Sequence, residues 1–189
     1  SNSLEPQIET LALTTKEKEE FSGKYYSTLN GYLREIKLEE NRLMYYRPGA
    51  NGTPLVATNA NELVYERAPQ VRFTFNRQNK ESMDLTINGE YQMSYQKYNE
   101  HAYKTSELKQ FENHYYSEDI DEIFQIIALE DELQLLVKGD EVVRFHQVTN
   151  DLFTSEHSGY ISFERNKNNT IIGFTRYDDH LYNLKHTVV

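Results

Sequence analysis

The sequence repeats itself at a spacing of about 90 residues, and this repeat limits the possible folds more than any other feature. Residues 20–27 (EFSGKYYS) lie over residues 110–117 (QFENHYYS) at a constant offset, with Phe, Tyr, Tyr and Ser in register. A long internal repeat of this kind indicates that one structural unit occurs twice. We therefore predict two copies of one small domain, joined near residue 100.

Further matches follow in the same order along both copies. Residues 36–40 (IKLEE) match 127–131 (IALED), residues 61–64 (NELV) match 150–153 (NDLF), and residues 73–77 (FTFNR) match 161–165 (ISFER). The offset drifts from 91 to 88, as loop insertions and deletions would cause. Within the first match Asn113 replaces Gly23. Since both residue types readily adopt a left-handed backbone, we predict a turn with positive φ at both positions.

Short stretches with period-two alternation of apolar residues, such as Val71, Phe73 and Phe75, predict half-buried strands. Turn sequences separate them: Pro48-Gly49, Asn51-Gly52, Asn88-Gly89, Lys138-Gly139-Asp140 and residues 166–169 (NKNN). About seven to eight strands fit in each copy, and closing such a meander into a barrel removes its exposed edges.

A short helix is predicted before each set of strands. Residues 14–17 (TTKE) have the form of a capping box, and residues 105–110 (TSELKQ) open the second copy in a similar way. The predicted fold class is therefore all-β, with two tandem small antiparallel barrels. Residues 1–13 are a lead-in, residues 14–100 the first barrel and residues 101–189 the second.

Charge and composition exclude several classes of function. The formal net charge is −10, and it is uneven: residues 1–100 carry 12 basic and 14 acidic residues, while residues 101–189 carry 8 and 16. This balance opposes binding to nucleic acid or anionic lipid. The chain has no Cys for disulfides or thiol chemistry, and no apolar run long enough for membrane insertion. Its first residues have neither the basic start nor the apolar core of a signal peptide.

An ordered set of residues carries a family resemblance: Phe21, Gly23 and Tyr25 at the opening, Leu43 and Leu133 after charged turns, and the closing residues 171–174 (IIGF) and 181–184 (LYNL). This set resembles the lipocalin-like C-terminal domains of bacterial serine hydrolases of the β-lactamase, penicillin-binding and D-aminopeptidase type. The resemblance implies a non-catalytic accessory module that shapes substrate access or assembly, in the periplasm or secreted. It also implies a serine hydrolase domain, in the same or another chain, as the partner.

Three groups of residues could carry chemistry, and each has a simpler structural interpretation. Ser106 and Lys109 form an S-x-x-K motif, but the other elements of such an active site are missing and helix capping explains it. Five histidines lie in the second copy, without the close spacing of metal ligands: His114, His146, His157, His180 and His186. The acidic residues 118–122 (EDIDE) and 130–132 (EDE) lack the pattern of a calcium loop. We predict no catalytic, cofactor-binding or metal-binding residues, and no cofactor.

Tyrosine doublets leave one alternative function open. The pairs Tyr25-Tyr26, Tyr45-Tyr46 and Tyr115-Tyr116 must each point one ring inward and one outward on a strand. The inward rings pack a core or line a cavity for a small apolar ligand, which is the alternative function. A second fold also stays open, in which the whole chain forms one lipocalin-sized barrel with residues 23–25 (GKY) in place of its usual Gly-x-Trp.

Overall fold

The computed structural model describes residues 8–137, 141–178 and 183–189. It divides into two compact units, the first comprising the chain up to Thr28 with Leu33–Tyr98, and the second comprising Leu29–Tyr32 with the chain from Asn99. Each unit contains a closed antiparallel barrel of eight strands. The predicted all-β fold with two tandem barrels is confirmed, and the single-barrel alternative is wrong.

The first unit begins with one short helix, α1, at Thr15–Phe21. Its strands are β1 (Gly23–Ser27), β2 (Leu33–Glu39), β3 (Arg42–Tyr46), β4 (Thr53–Asn59), β5 (Glu62–Tyr65), β6 (Ala68–Phe75), β7 (Ser82–Ile87) and β8 (Glu90–Tyr98). Each strand pairs with the next in sequence, and β8 pairs with β1 to close the barrel.

The second unit repeats this plan with α2 (Thr105–Leu108) and a 3₁₀ turn (Lys109–Phe111). Its strands are β9 (Asn113–Ser117), β10 (Glu122–Leu129), β11 (Glu132–Val137), β12 (Glu141–Thr149), β13 (Leu152–Ser155), β14 (Gly159–Arg165), β15 (Ile171–Tyr177) and β16 (Leu184–Val188). Strand β16 pairs with β9. Among the residues that the structure describes, no helix is long and apolar enough to cross a membrane.

Large side chains fill the interior of each barrel. The first core includes Phe21, Tyr25, Tyr45, Phe73, Phe75 and Tyr95, and the second includes Phe111, Tyr115, Phe124, Phe145, Phe163 and Phe174. The inward face of β2 also carries Arg34, whose Nε donates a hydrogen bond of 2.8 Å to the Tyr45 hydroxyl. The barrels are therefore packed by their own residues, as small eight-stranded barrels usually are.

The two helices begin differently. Thr14 caps α1 with a complete capping box, because Glu17 N donates to Thr14 Oγ1 and Thr14 N donates to Glu17 Oε2. In the second unit Lys104 holds the cap position, and its backbone N donates to Glu107 Oε2 over 2.7 Å. Because the residue at the cap position is a lysine, α2 has only the carboxylate half of the box.

The strand pairing shows that the match of residues 36–40 with residues 127–131 is displaced by one residue. Tyr25 faces Arg34 across β1 and β2, and Tyr115 faces Phe124 across β9 and β10, so these strands correspond at an offset of 90. The inward Ile36 therefore corresponds to Ile126, and its match with Ile127 was wrong by one residue. A shift of one residue moves a side chain to the opposite face of a strand. Residues 127 and 129 thus lie on the outer face.

A second match was wrong by the same amount. Phe75 N donates to Asn61 O, and Phe163 N donates to Asp151 O, each over 2.8 Å. Asn61 therefore corresponds to Asp151 and not to Asn150, and Leu63 corresponds to Phe153 in the core. The match of Phe75 with Phe163 agrees with the register, because both lie on the inward face of the strand that follows.

Only one of the two predicted positive-φ positions has that conformation. Gly23 has a φ of 150°, whereas Asn113 is an ordinary strand residue and does not have a positive φ. A Cβ at Gly23 would lie 3.0 Å from Lys97 Cε. Lys97 is paired with Tyr25 across β1 and β8, and Val188 is paired with Tyr115 at the equivalent place in the second barrel. The second barrel therefore has a shorter side chain at the position of Lys97. The glycine thus makes room for a lysine that the second copy lacks.

Candidate functional site

The tyrosine doublets divide as predicted, and their inward members pack the cores. Tyr25, Tyr45 and Tyr115 are buried, whereas their neighbours Tyr26, Tyr46 and Tyr116 are half-exposed on the outer faces. Burial away from water raises the pKa of all three inward hydroxyls well above its usual value. Their rings contact core phenylalanines, as Tyr115 does with Phe174 at 4.9 Å.

The S-x-x-K motif lies on the surface of the second unit. Ser106 is an exposed residue of the first turn of α2, and Lys109 is exposed in the 3₁₀ turn that follows. Ser106 does not cap the helix, because Lys104 holds that position. The interpretation of Ser106 as a capping residue was therefore wrong by two residues.

The histidines do not come together. His114, His146 and His157 are exposed, His186 is buried, and His180 lies outside the described residues. Within the described ranges, no group of three or more His, Asp or Glu side chains is placed to hold a metal ion.

His186 has an unusual environment inside the second barrel. It is 2% exposed, its ring stacks on Phe174 at 4.3 Å, and Phe124 meets it edge-on at 5.0 Å. Nδ1 lies 3.0 Å from Leu184 O. Burial, with a smaller contribution from nearby Arg176, lowers the pKa of His186 to about 4. The imidazole is therefore neutral near pH 7 and acts as a core aromatic residue.

The two acidic runs lie at the two ends of strand β10. Residues 118–121 form the turn between β9 and β10, and Glu122 begins β10. Asp121 in this turn accepts a hydrogen bond from the Tyr116 hydroxyl. Residues 130 and 131 form the turn between β10 and β11, and Glu132 at the start of β11 lies within 4.0 Å of Arg144 and His146. Both runs are surface turns that concentrate negative charge at the ends of one strand.

Between these acidic turns the outer wall of the second barrel carries exposed apolar residues. The side chains of Ile123, Leu129 and Val142 are 57%, 45% and 44% exposed. The register places Leu136 opposite both Gln125 and Val142, on neighbouring strands. With the half-buried Ile127, these residues form a contiguous surface on β10, β11 and β12, because diagonal neighbours on one face of a sheet lie about 7–8 Å apart. We call Ile123, Ile127, Leu129, Leu136 and Val142 the apolar face.

The first barrel carries charges at the corresponding positions of its second strand. At the offset of 90, Gln125, Ile127 and Leu129 correspond to Glu35, Lys37 and Glu39. Lys37 pairs with Glu35 at 3.7 Å, and the Tyr46 hydroxyl donates to Glu39. The second barrel is thus apolar at two outer positions, 127 and 129, where the first barrel carries charges, although the cores have the same plan.

Sequence reasoning missed this face because an apolar residue on a strand was taken as inward. The signal was present in the run of residues 126–129 (IIAL), where both faces of the strand carry apolar side chains. The outer surface of an antiparallel barrel usually faces water. Such a run therefore indicates that the outer surface is either covered by another element or exposed and apolar.

The sequence matches no protein-family model and no curated protein sequence. The site must therefore be interpreted from its own chemistry.

Proposed function

We propose that this protein is a non-catalytic accessory module that binds a partner protein through the apolar face of its second barrel. The observation that carries the proposal is the replacement of the charged Lys37 and Glu39 by Ile127 and Leu129 on equivalent outer positions. Contiguous exposed apolar surface on a folded domain is costly in water and is typical of interaction sites.

The charges around the face indicate the chemistry of the partner. Acidic turns lie at both ends of β10, and residues 101–189 carry 16 acidic and 8 basic residues. A second copy would bring these acidic turns close to each other, and like charges at an interface oppose association. The matching surface is therefore an apolar patch bordered by Lys or Arg on a different protein domain.

The family resemblance indicates which kind of domain this partner is. Lipocalin-like domains of this type accompany serine hydrolases of the β-lactamase, penicillin-binding and D-aminopeptidase type, where they shape substrate access or mediate assembly. We therefore propose a serine hydrolase domain as the partner, in the same or another chain, in the periplasm or outside the cell.

The binding test uses the chain with the purified β-lactamase-type serine hydrolase domain that its own gene or a neighbouring gene encodes. We expect binding by titration calorimetry, and at least a thirtyfold loss in the variant I127K/L129E, which carries the first barrel's residues. The variant I172K is the matched control, because Ile172 is an exposed isoleucine on β15, outside the apolar face. Absence of binding, or equal binding by I127K/L129E and I172K, would overturn the proposal.

The non-catalytic part of the proposal has its own test. The purified chain is assayed with nitrocefin, D-aminoacyl nitroanilides and simple esters, together with the variant S106A. We expect no turnover that depends on Ser106. Turnover in the parent chain that S106A abolishes would show that the module is itself a hydrolase.

A further inference from the structure

The first barrel has a groove of about 290 Å³ where the chain that precedes α1 crosses the barrel wall. Leu11 N donates to Ala57 O over 2.8 Å, which attaches this chain to strand β4. The groove lies beside that attachment, and seven of its lining residues are apolar: Leu11, Ala12, Leu13, Leu43, Leu55, Val56 and Ala57. It therefore has an aliphatic floor at the edge of the core.

The second barrel fills the equivalent space with larger side chains. At the offset of 90, Leu13, Leu55 and Ala57 correspond to Tyr103, Phe145 and Gln147. Tyr103 packs on Phe111 at 5.5 Å, and its backbone N donates to Gln147 Oε1 over 2.6 Å. The groove thus exists because the first copy has smaller residues at three positions that the second copy fills.

A lysine lines the groove where the second barrel has a core leucine. Lys18 on α1 corresponds to Leu108 on α2, and Leu108 is only 1% exposed. Lys18 Nζ donates a hydrogen bond of 2.7 Å to Asn41 O on the groove wall. An ammonium group has three N–H donors, so this bond orients the cation and leaves donors for a ligand. Arg42 adds a second cation to the lining, held by Glu66.

We propose that this groove binds a small aliphatic carboxylate, with its chain against the leucines and its carboxylate on Lys18. Ligand sites combine an apolar lining with a few placed polar groups, and a groove of about 290 Å³ is close to the lower limit of roughly 300 Å³ for such sites. It also exceeds the roughly 150 Å³ of an aliphatic cavity that holds benzene. This inference goes beyond the proposed partner binding and is independent of it.

The test titrates the full chain with octanoate, and with octylammonium as a probe of the same shape and opposite charge. We expect octanoate to bind at least tenfold more tightly than octylammonium, and K18Q to weaken octanoate binding at least tenfold. K16Q is the matched control, since it removes the same charge from an exposed position of the same helix that does not line the groove.

Filling the groove gives an independent readout. The variant L13Y/A57Q introduces the second barrel's residues and should abolish octanoate binding while the thermal unfolding transition is retained. If it does not fold, L11W obstructs the groove from Leu11, which is 45% exposed and does not belong to the core. No octanoate binding by the parent chain, equal binding of octylammonium, or unchanged binding in the filled or obstructed variant would overturn the proposal.

Discussion

Tyr25 donates its hydroxyl hydrogen to Phe21 O over 2.7 Å, at the end of helix α1. Tyr115 makes the same 2.7 Å bond to Phe111 O in the second unit. The last carbonyls of a helix have no partner within the helix, so a buried one needs a donor from elsewhere. The repeated Phe and Tyr thus join each helical segment to its barrel, which explains why both recur in register.

Removing this hydroxyl should destabilise the second barrel. We expect Y115F to lower the free energy of unfolding by about 1–3 kcal/mol, because Phe111 O would be left buried without its donor. Tyr116→Phe is the control in the same strand, since the Tyr116 hydroxyl donates to Asp121 at the surface and its loss should have a much smaller effect. Urea unfolding measures both, and equal effects would contradict the interpretation.

The fold could be predicted from the sequence because the strand pattern, the turn sequences and the repeat all indicated two small antiparallel barrels. Phe21, Tyr25 and Phe75 were matched correctly with their counterparts in the second copy, since large core residues were retained there. The apolar face was missed, because Ile127 and Leu129 look like core residues until the register shows which way they point. The Lys18 groove depends on which side chains meet in space, and no local pattern records that.

Arg165 should stabilise the second barrel through a partly buried ion pair. Its guanidinium donates to both Asp151 oxygens, to Gln110 and to Asn169 O, and it lies 5.6 Å from the centre of the Phe111 ring. We expect R165M to cost about 2–3 kcal/mol, because Asp151 would lose its partner. D151N/R165M should recover part of this, and a double-mutant cycle from urea unfolding measures the coupling. Purely additive effects would argue against the ion pair.

His186 should make the second barrel less stable in mild acid. The pKa of His186 is about 4 in the folded protein, against its usual value of 6.5, so the unfolded chain binds the proton more tightly. The neutral, buried imidazole therefore contributes its full stabilisation above about pH 6.5. This stabilisation is lost as the pH falls towards 4, which lowers the free energy of unfolding by up to about 3 kcal/mol. H186F should remove this part of the pH dependence while keeping the aromatic stack.

The measurement is urea unfolding between pH 4 and 7.5. H157Q serves as the control, because the side chain of His157 is 90% exposed and should not affect the slope. If H186F and the parent chain lost the same stability over this range, the buried imidazole would not be the cause.

Gly23 and Lys97 should behave as a coupled pair, because the glycine leaves space for the lysine stem. Lys97 Nζ donates to Glu20 O over 2.9 Å and lies 5.5 Å from the centre of the Tyr25 ring. We expect G23N to cost about 1–3 kcal/mol, since Asn would be held at a φ of 150° and would crowd Lys97. K97V alone should cost about 1 kcal/mol through the lost hydrogen bond.

The double variant G23N/K97V reproduces Asn113 and Val188 of the second barrel. With the lysine removed, strand β1 is free to adopt the ordinary strand conformation that Asn113 has. The double variant should therefore be more stable than the sum of the single effects by at least about 0.5 kcal/mol in urea unfolding. Strict additivity would show that the glycine is required by the backbone alone.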